Sequence, residues 1–378
     1  MLTFGLNIIV GAGESRELER CLNSFDVKEV FSEIVIVNTS KDAKIDEVAK
    51  EFTDKIFFKK WTSERYPFGD FGGARNMALD NSTSDYIMWM DADDVILEEH
   101  ADKMIKIRDL VTNEDNNEVE IYSLPYVVVS DAKMNPITTF KRHRIFKRNT
   151  KFKWRFPVHE QICPDSKGIT AGNIENIQIT HLPNKPNYSS AIRNVQILEY
   201  EYNNSKIKEP AIKYFLARDM MFVGRTDESI KLFDEIISEL GGNYDEMYSA
   251  CLAVATFYAY TNFMTHPRVD EININNLDEI ERWLRLALSC SSNYAEPYVI
   301  LGDIYAYKKD LDAAEKMYTT ALKKKLGSGQ MQAVPFYEQL PADRLADIFA
   351  VKLNFDKAIF YNKRALLHEP TNTVLIEK

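Results

Sequence analysis

The sequence predicts an α/β domain on a mostly parallel, Rossmann-like sheet, followed by an all-α domain of helical repeats. Three observations carry this expectation. Short apolar runs alternate with amphipathic stretches through the first hundred residues. The segment Pro183-Asn184-Lys185-Pro186 then breaks the chain, and beyond it small and aromatic residues recur at fixed spacing. Continuous apolar strands between amphipathic helices are the signature of a parallel sheet covered on both faces. The break sets the expected domains at 1–183 and 186–378.

In order, strands are predicted at 6–10, 33–37, 55–58 and 86–90. Helices are predicted around Leu18, Cys21, Leu22 and Phe25, over 45–52, and over 72–80. Ligands of such sheets lie beyond the carboxyl ends of the strands, so the residues after Val10, Val37 and Met90 are where chemistry is expected. Further strands at 120–129, 142–147 and 174–180, joined by polar turns, are expected to add to the sheet in antiparallel fashion.

The C-terminal half repeats itself. Tyr298, Leu301, Gly302 and Tyr305, then Ala314, Tyr318 and Ala321, match the tetratricopeptide spacing, in which small residues let two helices approach and large ones fill the gap. A second copy has Leu345, Ala346, Phe349, Ala358, Ala365 and Pro370. A third has Tyr214, Leu216, Ala217, Ser229 and Phe233. Between them, 248–289 reads as a degenerate pair interrupted by a loop at 262–276.

Composition bounds the function. With 378 residues, 45% hydrophobic and 28% charged, the chain has ample material for two packed cores. A formal net charge of −10 argues against a nucleic-acid partner. The basic stretch 141–153 reads either as a solvated strand edge or as a diphosphate clamp on a mobile loop, with Arg142, Arg144 and Lys147 at its centre. Cys21, Cys163, Cys251 and Cys290 lack paired spacing, which fits reduced thiols in a cytoplasmic protein. No run approaches the roughly 20 apolar residues of a membrane span, and 1–10 reads as a strand rather than a signal peptide.

The sharpest local signal is Asp91-Ala92-Asp93-Asp94, directly after a predicted strand. Carboxylates so crowded stay ionised together if a cation joins them, and hard divalent ions share oxygen ligands with diphosphates. A solvated acidic turn capping the next helix is the plainer alternative. Gly11-Ala12-Gly13 resembles a dinucleotide fingerprint, but Arg16 replaces the third glycine and Asn38 the acid after the second strand, which disfavours a nicotinamide enzyme.

With Asp70-Phe71-Gly72-Gly73-Ala74-Arg75-Asn76, the D-x-D at 91–93, and Val158-His159-Glu160-Gln161 in place, the first 180 residues resemble glycosyltransferase family 2, the inverting GT-A fold. With the repeats added, the whole chain resembles the sublancin-type peptide S-glycosyltransferases. Similar domain pairs occur in surface-glycan transferases.

The resemblance implies a transferase using Mn²⁺ or Mg²⁺ and a nucleotide sugar such as UDP-glucose or another UDP-hexose. It implies Asp93 as metal ligand, Asp91 on the metal or the donor ribose, and His181 as a third ligand or a structural histidine. Asp70, Arg75 and Arg144 would reach the nucleotide. Asn38 stands where the family usually carries a base-reading aspartate. Glu160 would be the base that deprotonates the acceptor, with His159 orienting it or touching the donor. Cys163 is expected to be packing.

The repeat array offers a surface for a peptide or protein acceptor bearing a Cys or Ser/Thr target, as in glycocin precursors, or for a second copy in a homodimer. Two rivals stay open: a transferase of surface-glycan assembly, and a non-catalytic repeat scaffold with a retired transferase domain.

Overall fold

The computed structural model describes residues 2–114, 118–148, 152–164, 168–183, 187–206, 209–239, 244–259, 276–327 and 331–368. The expected break at 184–186, most of the loop at 262–276, Pro370, and residues 149–151 of the basic stretch lie outside them. The chain divides into two compact units, Met1–Val129 with Phe140–Arg225, and Ser130–Thr139 with Thr226–Lys378. Strands give way to helix at 181–187, whereas the first unit continues through two helices to Arg225.

In the first unit, the elements run β1 (Phe4–Val10), α1 (Ser15–Leu22), α2 (Val27–Val30), β2 (Glu33–Asn38), α3 (Ala43–Lys50) and β3 (Ile56–Phe58). They continue with α4 (Phe71–Asp80), β4 (Tyr86–Asp91), β5 (Asp94–Val95), α5 (Glu98–Ala101) and α6 (Lys103–Thr112). Then come β6 (Ile121–Ser130), β7 (Pro136–Lys147), β8 (Phe152–Arg155), β9 (Gln161–Pro164), β10 (Ala171–Asn173), β11 (Ile179–His181), α7 (Asn187–Asn204) and α8 (Pro210–Phe222), with the end of β6 and the start of β7, at 130–139, falling in the second unit.

The sheet order is β3-β2-β1-β4-β7-β6-β11-β5. The first four strands are mutually parallel, as their continuous apolar runs predict. Leu6, Ile8, Val10, Ile34 and Ile36 enter one core, while Ile9, Val35 and Val37 pack against Ala74 and Ala78 of α4 on the other face. That alternation is the pleat of a sheet covered on both sides.

The later strands depart from a uniformly antiparallel addition. β7 runs antiparallel to β4, but β10 and β11 run parallel to β6. Of the strand expected at 174–180 only Ile179 and Thr180 are strand, in β11, while 174–178 is non-strand and β10 lies just before it. Ile174 and Ile177 still enter the core, so their apolar spacing reports burial rather than strand. β11 also pairs antiparallel with β5, which sets His181 opposite Asp94. β8 and β9 form a separate hairpin whose turn is 156–160.

The second unit holds α9 (Thr226–Glu239), α10 (Tyr244–Ala259), α11 (Leu277–Cys290), α12 (Glu296–Tyr307), α13 (Leu311–Ala321), β12 (Gln332–Ala333), α14 (Gln339–Val351) and α15 (Phe355–Leu366). β12 pairs with Thr138 and Thr139. Helices α10 with α11, α12 with α13, and α14 with α15 pack as successive pairs, the arrangement the repeat spacing predicts. In α12 and α13, Gly302 lets the Tyr318 ring approach so closely that a Cβ there would collide with it. Tyr318 then donates to Asp303 Oδ1 at 2.6 Å. The third expected copy is divided differently, because α8 belongs to the first unit and α9 to the second.

Candidate active site

The acid run turns sharply at the end of β4, where the Asp91 amide donates to Asp94 Oδ2 at 3.0 Å. The turn sends its carboxylates in different directions. Asp91 ion-pairs with Arg75 and lies 3.8 Å from Arg142. Burial works against its charge, but Arg75, Arg142 and Arg144 outweigh burial and hold the carboxyl well below the usual range. Asp94 is fully buried, 2.8 Å from Arg144 Nη1, and accepts from the Tyr126 hydroxyl at 3.0 Å. Three guanidiniums, of Arg75, Arg142 and Arg144, stand 4.2, 4.4 and 3.9 Å from the Trp89 ring centroid. Stacking on an aromatic face lets arginines pack where hydrogen-bond partners are few.

Arg142, Arg144 and Lys147 therefore sit on strand β7, not on a mobile loop. Arg144 has no exposed surface and reaches Asp94 rather than solvent. Its side chain acts on the acid cluster from behind.

Asp93, Asp94 and His181 each offer a ligand atom within 4.8 Å of the others. His181 Nδ1 lies 3.4 Å from Asp93 Oδ1 and 3.8 Å from Asp94 Oδ1. It is a buried nitrogen without a well-formed hydrogen bond, at the focus of two carboxylates. Burial alone would lower the imidazole's proton affinity, yet Asp93 and Asp94 push its pKa up to about 10. Two oxygens and an orphaned imidazole nitrogen fit a hard or borderline divalent cation, which would take the place of that proton. Asp91, expected among the ligands, lies outside this group and faces the arginines. Asp94, which the sequence shows beside the D-x-D without assigning it a role, lies inside it.

Helix α4 builds the opposite wall. Asp70 caps it, accepting from the Gly73 amide at 2.8 Å, and pairs with Lys59 at 3.0 Å. The Phe71 amide donates to Pro157 O at 2.8 Å. Asn76 makes two 2.9 Å bonds with the Trp154 backbone, donating to its carbonyl and accepting from its amide. Together these fasten the β8–β9 hairpin to α4. Between them Arg75 points inward, only 4% exposed, and its Nε donates to Glu160 Oε1 at 2.5 Å. One guanidinium thus bridges Asp91 of the acid turn and Glu160 of the hairpin turn. Arg75 is an interior ion-pairing group rather than a surface residue of α4.

Asn38 ends β2 and is buried. Its amide donates to Asp46 Oδ1 at 2.9 Å and to Asp42 O at 3.3 Å, and its oxygen accepts from the Ser40 amide at 2.9 Å and hydroxyl at 3.0 Å. It shapes the loop after β2. After β1, Gly11 donates to Glu14 Oε2 at 2.7 Å, and Gly13 takes a φ of 77° that favours glycine.

Glu160 is brought together with Arg75 and, through it, with Asp91, whereas His159 meets other partners. Sequence reasoning misses what holds His159: Arg218 and Asp219, on α8. Their only sequence signal is an acidic–basic pair on a helix that reads as part of a repeat. Cys163, half-buried on β9, and Cys21, Cys251 and Cys290 are free thiols.

Residues 8–166, at the front of the chain, match the profile of glycosyl transferase family 2. Among curated proteins, the chain is similar to the SPbeta prophage-derived glycosyltransferase SunS of Bacillus subtilis, 26% identical over 235 residues covering 61% of this chain and 52% of that protein. It is also similar to a TPR repeat-containing protein of Synechococcus elongatus, 25% identical over 150 residues, 39% of this chain and 33% of that one. The chain spans about half the length of SunS. Among solved structures, S. aureus TarS (residues 1–349) aligns over 87% of this chain and 96% of its own at 11% identity and a TM-score of 0.36. No helix among the described residues is long and apolar enough to cross a membrane.

Proposed function

We propose that the protein is a metal-dependent inverting glycosyltransferase that moves a sugar from a nucleotide diphosphate donor, a UDP-hexose, to a peptide or protein acceptor. The observation that carries this reading is the double bridge of Arg75. It joins the acid turn, where a cation and donor phosphates would sit, to Glu160, where an acceptor would lose its proton. The family 2 match over residues 8–166 and the likeness to the glycosyltransferase SunS support the reaction class.

In this reading Asp93 and His181, with Asp94 behind them, hold Mn²⁺ or Mg²⁺. Bound there, the cation would neutralise charge developing on the departing diphosphate. Asp91 and Arg75 line the donor side, with Asp70 and Asn38 shaping its walls. Glu160 takes the proton of the attacking hydroxyl or thiol, held in orientation by Arg75. The helical unit presents the acceptor, or pairs two copies. Four free cysteines suit a reducing compartment, the cytoplasm.

The test is donor hydrolysis across a panel of nucleotide sugars, with and without Mn²⁺, for wild type and Asp93→Ala. Metal-dependent release of nucleoside diphosphate from one donor, lost in the variant, is the expected result. Binding of neither metal nor nucleotide by calorimetry would overturn the enzyme and favour the scaffold. Transfer to a glycan or lipid-linked acceptor, with none to peptide, would move it to surface-glycan assembly.

A further inference from the structure

We propose that Asp219, on helix α8, is a positioning residue that fixes the tautomer and ring plane of His159 beside Glu160. The proposal rests on residues 159–160 being the acceptor side of a transferase. Asp219 lies well beyond the family-matched stretch, which ends at position 166, yet in the same compact unit as His159.

The geometry makes the case. His159 Nε2 lies 2.6 Å from Asp219 Oδ2. Arg218 Nη2 also lies beside the ring, 2.8 Å from Nε2 and 3.3 Å from Nδ1. An ionised carboxylate only accepts and a guanidinium only donates, so the closer partner, Asp219, takes the Nε2 proton and Nδ1 is left to accept from Arg218. The carboxylate is itself locked, because Arg218 Nε and Nη2 donate to Asp219 Oδ1 at 3.0 and 2.9 Å. Burial disfavours its charge, but Arg218 and His159 bring its pKa down to about 2. Phe215 packs on the imidazole, ring centroids 4.7 Å apart. Residues 215, 218 and 219 follow the i, i+3, i+4 spacing of one helix face, so a single turn of α8 grips the ring on several sides.

The backbone points the same way. His159 adopts a φ of 52°, and Phe156, at the start of the same turn, 69°. A left-handed conformation at a residue with a Cβ is strained and persists where the surroundings enforce it. Burial, followed by the Arg218 charge, holds the imidazole below its ordinary pKa, against the pull of Asp219. His159 is therefore a neutral ring of defined tautomer at neutral pH. A histidine held by a carboxylate in the correct tautomer can take part in proton transfer without the carboxylate touching substrate.

The experiment uses the full chain with ¹⁵N-labelled histidine. There are six histidines, and the His159 signal is assigned by its loss in His159→Gln. The wild type should show the neutral Nε2–H tautomer, and Asp219→Asn and Asp219→Ala should redistribute the proton. An unchanged tautomer in both variants would overturn the proposal.

Kinetics give a second, independent reading. Asp219→Ala and His159→Ala should each lower kcat about 100-fold or more, the low end for a proton-transfer group, with donor KM within about twofold. The double variant should be no slower than His159→Ala alone, because Asp219 acts through His159. Fully additive losses would overturn the proposal. If wild type turns over no donor and binds neither Mn²⁺ nor nucleotide, the transferase reading fails, and the tautomer measurement alone decides the link between Asp219 and His159. An unchanged melting temperature for Asp219→Asn separates either effect from misfolding.

Discussion

Arg144 and Asp94 meet at 2.8 Å with neither side chain reaching solvent. Arg144 Nε and Nη2 find no hydrogen-bond acceptor, and the guanidinium faces rest on Trp89 and Tyr126. The pair is therefore poised at the floor of the acid cluster, where removal of one partner leaves the other charge buried alone. Arg144→Ala should destabilise the protein by about 3–5 kcal/mol. The urea midpoint read by tryptophan fluorescence measures it, and a loss under about 1 kcal/mol would mean that water relieves Asp94 after all.

His181 supplies the one imidazole among the three candidate ligands. Its replacement should weaken Mn²⁺ binding about tenfold or more without unfolding the sheet, since its backbone pairing with Asp94 is kept. Calorimetric titration of Mn²⁺ into His181→Ala, with UDP present, measures this. Equal affinity in variant and wild type would remove His181 from the site.

In the helical unit, Glu296 is buried where it accepts from the Ala333 amide at 2.9 Å and the Tyr337 hydroxyl at 3.0 Å. Burial outweighs these bonds and raises its pKa from 4.5 to about 7. The folded state thus keeps a proton that the unfolded chain gives up. The resulting stability is complete below pH 4.5 and is lost as pH rises toward 7, by about 3 kcal/mol for a shift of this size. Glu296→Gln should flatten this part of the stability profile, followed by denaturant midpoints at about pH 5 and about pH 7.5, either side of most of that loss. A parallel slope in the variant would assign the titration to another group.

Much of this was legible in the sequence because periodicity reports burial directly. The parallel strands, α4 and the later helix pairs follow from apolar spacing, and Asp91 to Asp94 follow from their place after β4. What stayed hidden was direction and long-range pairing. Three neighbouring aspartates look alike in sequence, yet a four-residue turn aims Asp91 at Arg75 and Asp94 at Arg144. Arg144 reads as a basic clamp because nothing local says that β7 buries it. Asp219 was unreadable for another reason. Its contact with His159 spans 60 residues, and its helix carries a repeat-like apolar pattern that gives no hint of a second role.

Gly72 shows how closely the two halves of the site are fitted. A Cβ at this position would collide with the Phe156 carbonyl oxygen, a backbone atom that cannot swing aside as a side chain could. The next bond along, from the Phe71 amide to Pro157 O, ties the same turn to the same helix end. Gly72→Ala must therefore push the 156–160 turn, and with it His159 and Glu160, away from Arg75. A displacement near 1 Å at reacting groups can cost about 100-fold in rate, so kcat should fall by that order. Binding of Mn²⁺ and nucleotide should hold, because Asp93 and His181 lie on other elements. Parallel measurement of turnover and calorimetric affinity distinguishes the outcomes: if both fall together, the variant has loosened the whole unit, and if neither falls, the hairpin turn does not set the catalytic geometry.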